Sequence, residues 1–324
     1  MSVRVGLVGA GGVGARHART LAGFDDVELV GIADAVPEAC GALADELGVP
    51  VVDTVDRLLQ ESLDAVWLCV PPFAHGDLEL RALRSGLPFF VEKPLAADVA
   101  VAEAVAEAVA AAGVPTATGY HWRHLDTVAR AREVLATSPP RLVNLTWQDK
   151  VPPPAWWSAA ALSGGQVVEQ ATHVLDLARV LAGEVVEVRA AAAPSSDPGR
   201  DVADATTALL AFASGAVGTL AATCTLAAKG RAGIDVAADG VLVELTETSL
   251  RISRAGGDEE LRPAVDGRRA VDRAFVDVLS GRPDPSGLVD YAEALRTHLV
   301  TTTGVRSARE RVPLTVPVPW EGVR

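Results

Sequence analysis

Gly9, Gly11 and Gly14 stand at G-x-G-x-x-G spacing between an apolar run, Val3-Arg-Val-Gly-Leu-Val8, and a helical period over residues 13–22. That context constrains the chain more than any other feature, because each glycine answers a separate steric demand. Gly9 permits the tight turn out of the strand, Gly11 lets backbone approach a pyrophosphate, and Gly14 lets the helix pack closely on the strand. Ala10, Gly12 and Val13 complete the turn, whose free N–H groups at the helix N-terminus favour phosphate. Asp34 follows 20 residues after Gly14, at the end of a second apolar run (Val27, Leu29, Val30, Ile32). An acid there suits a ribose 2′-hydroxyl and repels a 2′-phosphate. Ala35-Val36-Pro37 offers no arginine or serine to receive such a phosphate. The expected cofactor is therefore NAD, in preference to NADP.

The alternation around this turn predicts an α/β chain opening with a Rossmann doubly wound parallel sheet. Strands are expected at 3–8, 27–33, 65–70, 88–91 and 115–118, with helices at 36–47, 54–60, 74–84 and 97–112. Beyond residue 120 the pattern changes. A helix over 125–136 leads to strand-like runs at 141–149, 185–193, 204–213, 216–226, 233–238, 241–246 and 249–253. Turn signals at Ser214-Gly215 and Asp239-Gly240 join some of them as hairpins. Helical periods return at 264–280 and 287–306, while Pro194–Asp201 and Ala255–Pro263 read as exposed loops. The expected organisation is a dinucleotide-binding Rossmann domain (1–120), then a substrate-binding and oligomerisation domain (121–324). The latter is of α+β class, on a large open, mainly antiparallel sheet.

Composition removes several classes of function. A net charge of −13 offers no compensation for repulsion from nucleic-acid phosphates. Three scattered cysteines, Cys40, Cys69 and Cys224, suit reduced thiols in a cytoplasmic protein. No apolar run approaches membrane-spanning length, and a first strand at residue 3 leaves no room for a signal peptide. No Cys or His spacing proposes a metal; His121 and His124 lack a third ligand nearby in sequence.

Three further segments carry chemistry. Val91-Glu92-Lys93-Pro94 directly follows the strand at 88–91, and open α/β sheets bind ligands at the carboxyl ends of their strands. A lysine there reaches a bound substrate, and the proline restricts its backbone. Gly164-Gly165-Gln166-Val167-Val168-Glu169-Gln170-Ala171-Thr172-His173-Val174-Leu175-Asp176 reads as a helix placing Glu169 and His173, i and i+4, on one face. Thr118-Gly119-Tyr120-His121-Trp122-Arg123 forms the junction between the two halves, where Tyr120, His121 and Arg123 are expected to line the cleft. Trp156-Trp157 follows a Pro-Pro-Pro run and reads equally as a packing anchor or as a platform for a sugar ring, the second making Trp157 a substrate contact.

Together these segments resemble the glucose–fructose oxidoreductase / inositol dehydrogenase (Gfo/Idh/MocA) family over nearly the whole length. The likeness rests on the glycine turn with His17, Val70-Pro71-Pro72 with His75, Glu-Lys-Pro, Gly119-Tyr120, and the Gly-Gly-to-His-to-Asp helix. It implies a lysine–acid–histidine set, Lys93, Glu169 and His173, at the substrate, and cofactor contacts from Val70, Pro71, His75, Glu92 and Lys93. Glu169 departs from the family's usual aspartate, and the extra methylene shifts its carboxylate by about a bond length. His173 suits the base that takes a carbinol proton, and Lys93 suits the cation that stabilises the alkoxide. The carboxylate is expected to hold His173 or a neighbouring substrate hydroxyl, and Asp176 to brace the helix.

The resulting expectation is an NAD-dependent oxidoreductase acting on a hydroxyl or keto carbon of a sugar, cyclitol or related polyol. The alternatives are a keto-sugar reductase in a biosynthetic pathway and a nucleotide-binding sensor that lost its chemistry. An open sheet face exposing Leu209, Leu220 and Val236 would be covered by another copy, giving a homodimer or homotetramer.

Overall fold

The structure, a computed structural model, describes residues 2–283 and 287–318. Its first part runs β1 (Val3–Val8), α1 (Gly12–Ala22), β2 (Val27–Ala33), α2 (Pro37–Leu47), α3 (Val55–Leu59), β3 (Ala65–Leu68), α4 (Asp77–Arg84), β4 (Phe89–Val91), α5 (Val99–Ala112) and β5 (Thr116–Thr118). The strands form a parallel sheet in the order β2-β1-β3-β4-β5. Every residue of β3 and β4 is buried, as a parallel strand covered on both faces requires. The order reverses direction at β1, so the crevice between the ends of β1 and β3 is the point where such sheets take ligands. Helix α5 shows why the punctuation of the sequence was informative. Asp98 accepts from the Ala100 N–H at its start, and Gly113 ends it in the left-handed region.

The remainder runs α6 (Asp126–Thr137), β6 (Pro140–Gln148), α7 (Ala160–Ser163), α8 (Gln166–Glu169), α9 (Thr172–Ala182), β7 (Val185–Ala193), β8 (Ala205–Phe212), β9 (Val217–Thr223), β10 (Ala232–Ala238), β11 (Val241–Thr246), β12 (Leu250–Arg254), β13 (Gly257–Leu261), α10 (Gly267–Leu279), α11 (Tyr291–Glu310) and β14 (Leu314–Thr315). Its nine strands lie in the order β13-β12-β11-β10-β6-β9-β8-β7-β14. All pairings are antiparallel except β6 with β9. The expected large, mainly antiparallel sheet is present.

Several expectations need correction. Residues 257–261, read as loop, form edge strand β13. Its sequence, Gly-Asp-Glu-Glu-Leu, has no apolar alternation because both faces meet solvent, and Arg251 of β12 pairs with Asp258 across the hairpin. The short β14 carried no sequence signal. Leu220 and Val236, expected on the open face, are buried at 2% and 0% exposure, while Leu209 is 60% exposed. Alternation is the reason: Leu220 and Val236 point inward with Val143 and Leu145. The outer face instead shows Leu142, Leu209, Val217 and Leu242.

Helix α10 returns across the chain. Its Phe275 packs on Trp67 of β3 at 5.3 Å and on Phe90 of β4 at 6.3 Å, so the parallel sheet is closed by residues some 200 positions downstream of its strands. The junction is polar at one point. His17 of α1 is wholly buried, with Nδ1 at 2.7 Å from Asp272 of α10 and Nε2 at 2.9 Å from Glu92 after β4. Trp67 Nε1 also donates to Asp272, at 2.9 Å. Burial opposes a charge on His17, but Asp272 and Glu92 overcome it and raise its pKa from 6.5 to about 9. An imidazolium thus sits between two carboxylates.

A histidine pKa raised by folding stabilises the protein fully below pH 6.5, and this contribution is lost as pH rises through 9. The shift corresponds to about 3 kcal/mol. His17→Gln should therefore be much less stable than wild type in urea denaturation below pH 6.5. The gap should narrow above pH 9; a gap independent of pH would show that the charge of His17 contributes nothing.

Candidate active site

The glycine turn is shaped by two contacts and one opening. Gly9 has φ +97°, and a Cβ on it would lie 2.3 Å from the Cys69 carbonyl. A Cβ on Gly14 would lie 1.7 Å from the Gly9 carbonyl, so strand and helix meet through it. Gly11 and Gly12 face open space, with Val13 exposed beside them. A cradle closed behind and open in front fits a phosphate on the first turn of α1. Asp34 is part-buried at the end of β2. One carboxylate oxygen accepts from the Ala10 N–H at 2.6 Å and the other from Val36 N–H at 2.8 Å. The acid is thereby fixed beside the turn. Val70 and Pro71 follow β3, half-buried at the same crevice.

Two expected cofactor contacts are engaged elsewhere. The His75 side chain is enclosed, its Nδ1 2.6 Å from Glu79, which also accepts from the Gly76 N–H. It braces the start of α4. Glu92 is buried too. It receives His17 and Arg16 on one oxygen and the Lys93 N–H on the other. Burial opposes its charge, yet His17, Arg16 and Lys93 hold its pKa at about 2. Glu92 thus shapes the turn that carries Lys93, and a Cβ on Gly119 would strike its carboxylate at 2.5 Å.

Lys93, in that turn, extends its Nζ to the Glu169 backbone carbonyl at 2.8 Å and to Glu169 Oε1 at 3.0 Å. The other carboxylate oxygen of Glu169 accepts from Trp157 Nε1 at 2.8 Å. Trp157 is fully buried with Val202 and Cys224, so the sugar-platform reading of Trp157 is overturned and the anchor reading stands. Nor do Glu169 and His173 share one helix. The chain breaks at Gln170-Ala171, between α8 and α9, and the carboxylate reaches Lys93 and Trp157 rather than His173. The break turns Glu169 outward to these partners, and Trp157 holds the longer acid in place.

His173, on the first turn of α9, packs against Trp122 and Trp147 with nearly parallel rings at 6.0 and 5.7 Å. Tyr120 and His121 meet it edge-on at 6.1 and 5.1 Å. Burial, with the Lys93 charge next, holds its pKa well below 6.5. The imidazole is neutral at physiological pH and so is a proton acceptor. Its Nδ1 is enclosed and makes no hydrogen bond, so Nε2 is the nitrogen that proton exchange reaches.

The junction residues divide. Tyr120 is buried with its hydroxyl 2.8 Å from Thr172, so it supports the His173 turn rather than contacting substrate. Arg123 turns away from the cleft and holds Asp176 through two bonds at 2.6 and 2.7 Å, with Glu293 at 2.9 Å. Both substrate-contact expectations are corrected, while the bracing role of Asp176 is borne out. His121 stays beside His173 and bonds Glu247 at 3.1 Å. Sequence reasoning missed Trp122, Trp147, Thr172, Lys229, Glu247 and Asp272. Trp147 alone left a signal, as an inward-facing aromatic near the end of β6; the others come together only through tertiary structure. Cys40, Cys69 and Cys224 are free and buried. Among the described residues no group of three or more His, Cys, Asp or Glu could hold a metal, and no helix is long and apolar enough to cross a membrane.

Comparison with known proteins agrees with this geometry. Residues 3–120 match the family model for the oxidoreductase family with an NAD-binding Rossmann fold, and residues 130–241 match the GFO/IDH/MocA C-terminal domain. The chain is 34% identical over 198 residues to inositol 2-dehydrogenase of Rhizobium meliloti, covering 60% of this chain and 59% of that protein. It is 30% identical to scyllo-inositol 2-dehydrogenase (NAD(+)) of Bacillus subtilis, over 69% of this chain and 68% of that one. The matched segment thus spans about three fifths of the Rhizobium relative's length. A solved levoglucosan dehydrogenase complex with NADH shares the fold at TM-score 0.88 and 21% identity, covering 98% of this chain and 100% of that one.

The Trp157–Glu169 contact is open to a direct test. A hydrogen bond to a charged acceptor is worth about 1.5–3 kcal/mol, so a urea-denaturation double-mutant cycle of Trp157→Phe with Glu169→Gln should give a coupling of that size. Additive costs would show that indole and carboxylate do not interact.

Proposed function

This chain belongs to the Gfo/Idh/MocA oxidoreductase family and carries its NAD-binding Rossmann fold, and from that premise we propose a hydride-transferring dehydrogenase of sugars, cyclitols or related polyols. The observation that carries this reading is the convergence of Lys93 and a neutral His173 beyond an open glycine cradle. In this reading residues 1–120 bind cofactor and residues 121–324 hold substrate, with α10 returning to brace the first part.

The backbone of Gly9–Gly14 holds the phosphates and Asp34 the ribose diol; Val70 and Pro71 flank the crevice. A nicotinamide bound there supplies the hydride acceptor or donor. Lys93 Nζ stabilises the negative charge that develops on the substrate oxygen. His173 takes the hydroxyl proton at Nε2 during oxidation and returns it during reduction. Glu169, fixed by Trp157, keeps Lys93 aimed at the substrate carbon. The two aromatic walls exclude water from the imidazole and keep it uncharged. A biosynthetic keto-sugar reductase would use the same groups in reverse, and the presence of both Lys93 and His173 argues against a sensor without chemistry.

Calorimetric titration and turnover measured on the same preparations test this reading. NADH should bind much more tightly than NADPH to wild type and to His173→Asn alike, because Asp34 is untouched. Oxidation of the best sugar or cyclitol in a 340 nm screen should fall at least tenfold in His173→Asn. Tighter NADPH binding would remove the role given to Asp34, and unaltered turnover would remove His173 from the proton transfer.

We also propose that the outer face of the nine-stranded sheet joins two copies of the chain. It carries Leu142, Leu209 and Val217 around a shallow trough of about 490 Å³ floored by small residues such as Ala191, Ala205 and Ala221. The three buried free cysteines suit a reducing, cytoplasmic setting. Sedimentation velocity should show an oligomer for wild type and a lighter species for Leu209→Lys. A monomeric wild type would contradict the assembly.

A further inference from the structure

Lysine is scarce in this chain, which has only Lys93, Lys150 and Lys229, yet two of the three meet around one imidazole. Lys229 lies in the exposed segment between β9 and β10, with its Nζ 5.3 Å from the centre of the Trp147 ring. That ring packs against His173, so the ammonium stands one aromatic ring away from the proposed base. Nearby cations have closer acceptors. Lys93 rests on Glu169 at 3.0 Å, Arg16 reaches Glu92 at 3.3 Å, and Arg268 is bonded to Glu247. The acidic neighbour of Lys229 is Glu247 at 3.8 Å, beyond hydrogen-bond distance, and that carboxylate already receives His121 and Arg268. Glu247 is held ionised, with a pKa of about 2, by the His121 hydrogen bond first and the neighbouring cations after it. It is therefore a shared counter-charge for several cations, and Lys229 is the one left under-neutralised and half-exposed.

The wider electrostatics agree. In a chain of net charge −13, the strongest charges acting on His173 are those of Lys93, His121, Lys229 and Arg16. A pocket with a surplus of positive charge, in a protein that is otherwise strongly acidic, is matched to an anion.

We propose that the substrate of this site is an anionic sugar or cyclitol, whose carboxylate or phosphoryl group is seated against Lys229 while its reacting carbinol lies between Lys93 and His173. This rests on the dehydrogenase reading above and narrows its substrate class. Lys229 then acts as a specificity-determining residue: it sets which polyol is held, and Lys93 and His173 act on it.

The test uses the NADH-loaded protein, with D-glucose, D-glucuronate and D-glucose 6-phosphate as calorimetric titrants for wild type, Lys229→Met and Lys229→Arg. At least one anionic sugar should bind ten times more tightly than glucose, and more weakly as salt screens the charge. Lys229→Met should remove that preference, Lys229→Arg should retain most of it, and NADH affinity should not change. Preference for glucuronate identifies a carboxylate, and preference for the phosphate ester a phosphoryl group. Equal affinity for glucose, a preference that survives in Lys229→Met, or no binding by any of the three overturns the proposal. NADH binding in the same preparations reports separately on the dehydrogenase reading.

Discussion

A single buried positive charge, the His17 imidazolium between Asp272 and Glu92, is the interaction on which the rest of the cleft depends. Its three partners come from three places in the chain: the helix that carries the glycine turn, the turn that carries Lys93, and the helix that returns from the far end of the sequence. Removing one member would leave an uncompensated buried charge, which costs about 3–5 kcal/mol. The chain of hydrogen bonds also has geometric consequences. Glu92 spends one oxygen on His17 and the other on the Lys93 N–H, so the lysine turn cannot shift without disturbing the cofactor helix. The same carboxylate fills the space above Gly119, at the crossing into the second half. Phosphate cradle, lysine and crossing are thus set by one polar contact inside an apolar junction.

From that fixed base the two candidate chemical groups are tuned in opposite ways. Lys93 is kept among oxygens, its ammonium on the carboxylate and carbonyl of Glu169. His173 is kept among rings and cations, which disfavour its charged form. One group is therefore arranged to remain a cation and the other to remain a neutral acceptor. That is the pairing needed for losing a proton and a hydride from one carbinol.

The fold was largely legible in the sequence because its signals are local. Gly9 and Gly14 have steric reasons that hold within a few residues, and the apolar runs of β1 to β5 read directly as buried parallel strands. Turns at Gly215 and Gly240, both in the left-handed region, marked the hairpins. Polar β13 was missed because an edge strand needs no apolar face. The site was only partly legible. Lys93 and His173 were picked out by their place in the chain, and the structure brings them to one cleft. The partners of Glu169 could not be read, since a helix break at Gln170 and a tryptophan 12 residues earlier decide where its carboxylate goes. Arg123, Tyr120 and His75 were assigned to ligands because their spacing gave no sign of Asp176, Thr172 and Glu79 waiting for them. Asp272 lies 255 residues from His17, beyond the reach of any local pattern.

The central claim is geometric: one cleft holds the phosphates at Gly11–Val13, the ribose at Asp34, and the reacting end between Lys93 and His173. A crystal structure of the NADH complex tests it most directly. The account predicts pyrophosphate oxygens on the backbone of the glycine turn, the adenosine ribose on the Asp34 carboxylate, and nicotinamide C4 facing the space between Lys93 Nζ and His173 Nε2. A nicotinamide ring that points away from those two side chains, or a cofactor seated elsewhere, would contradict it.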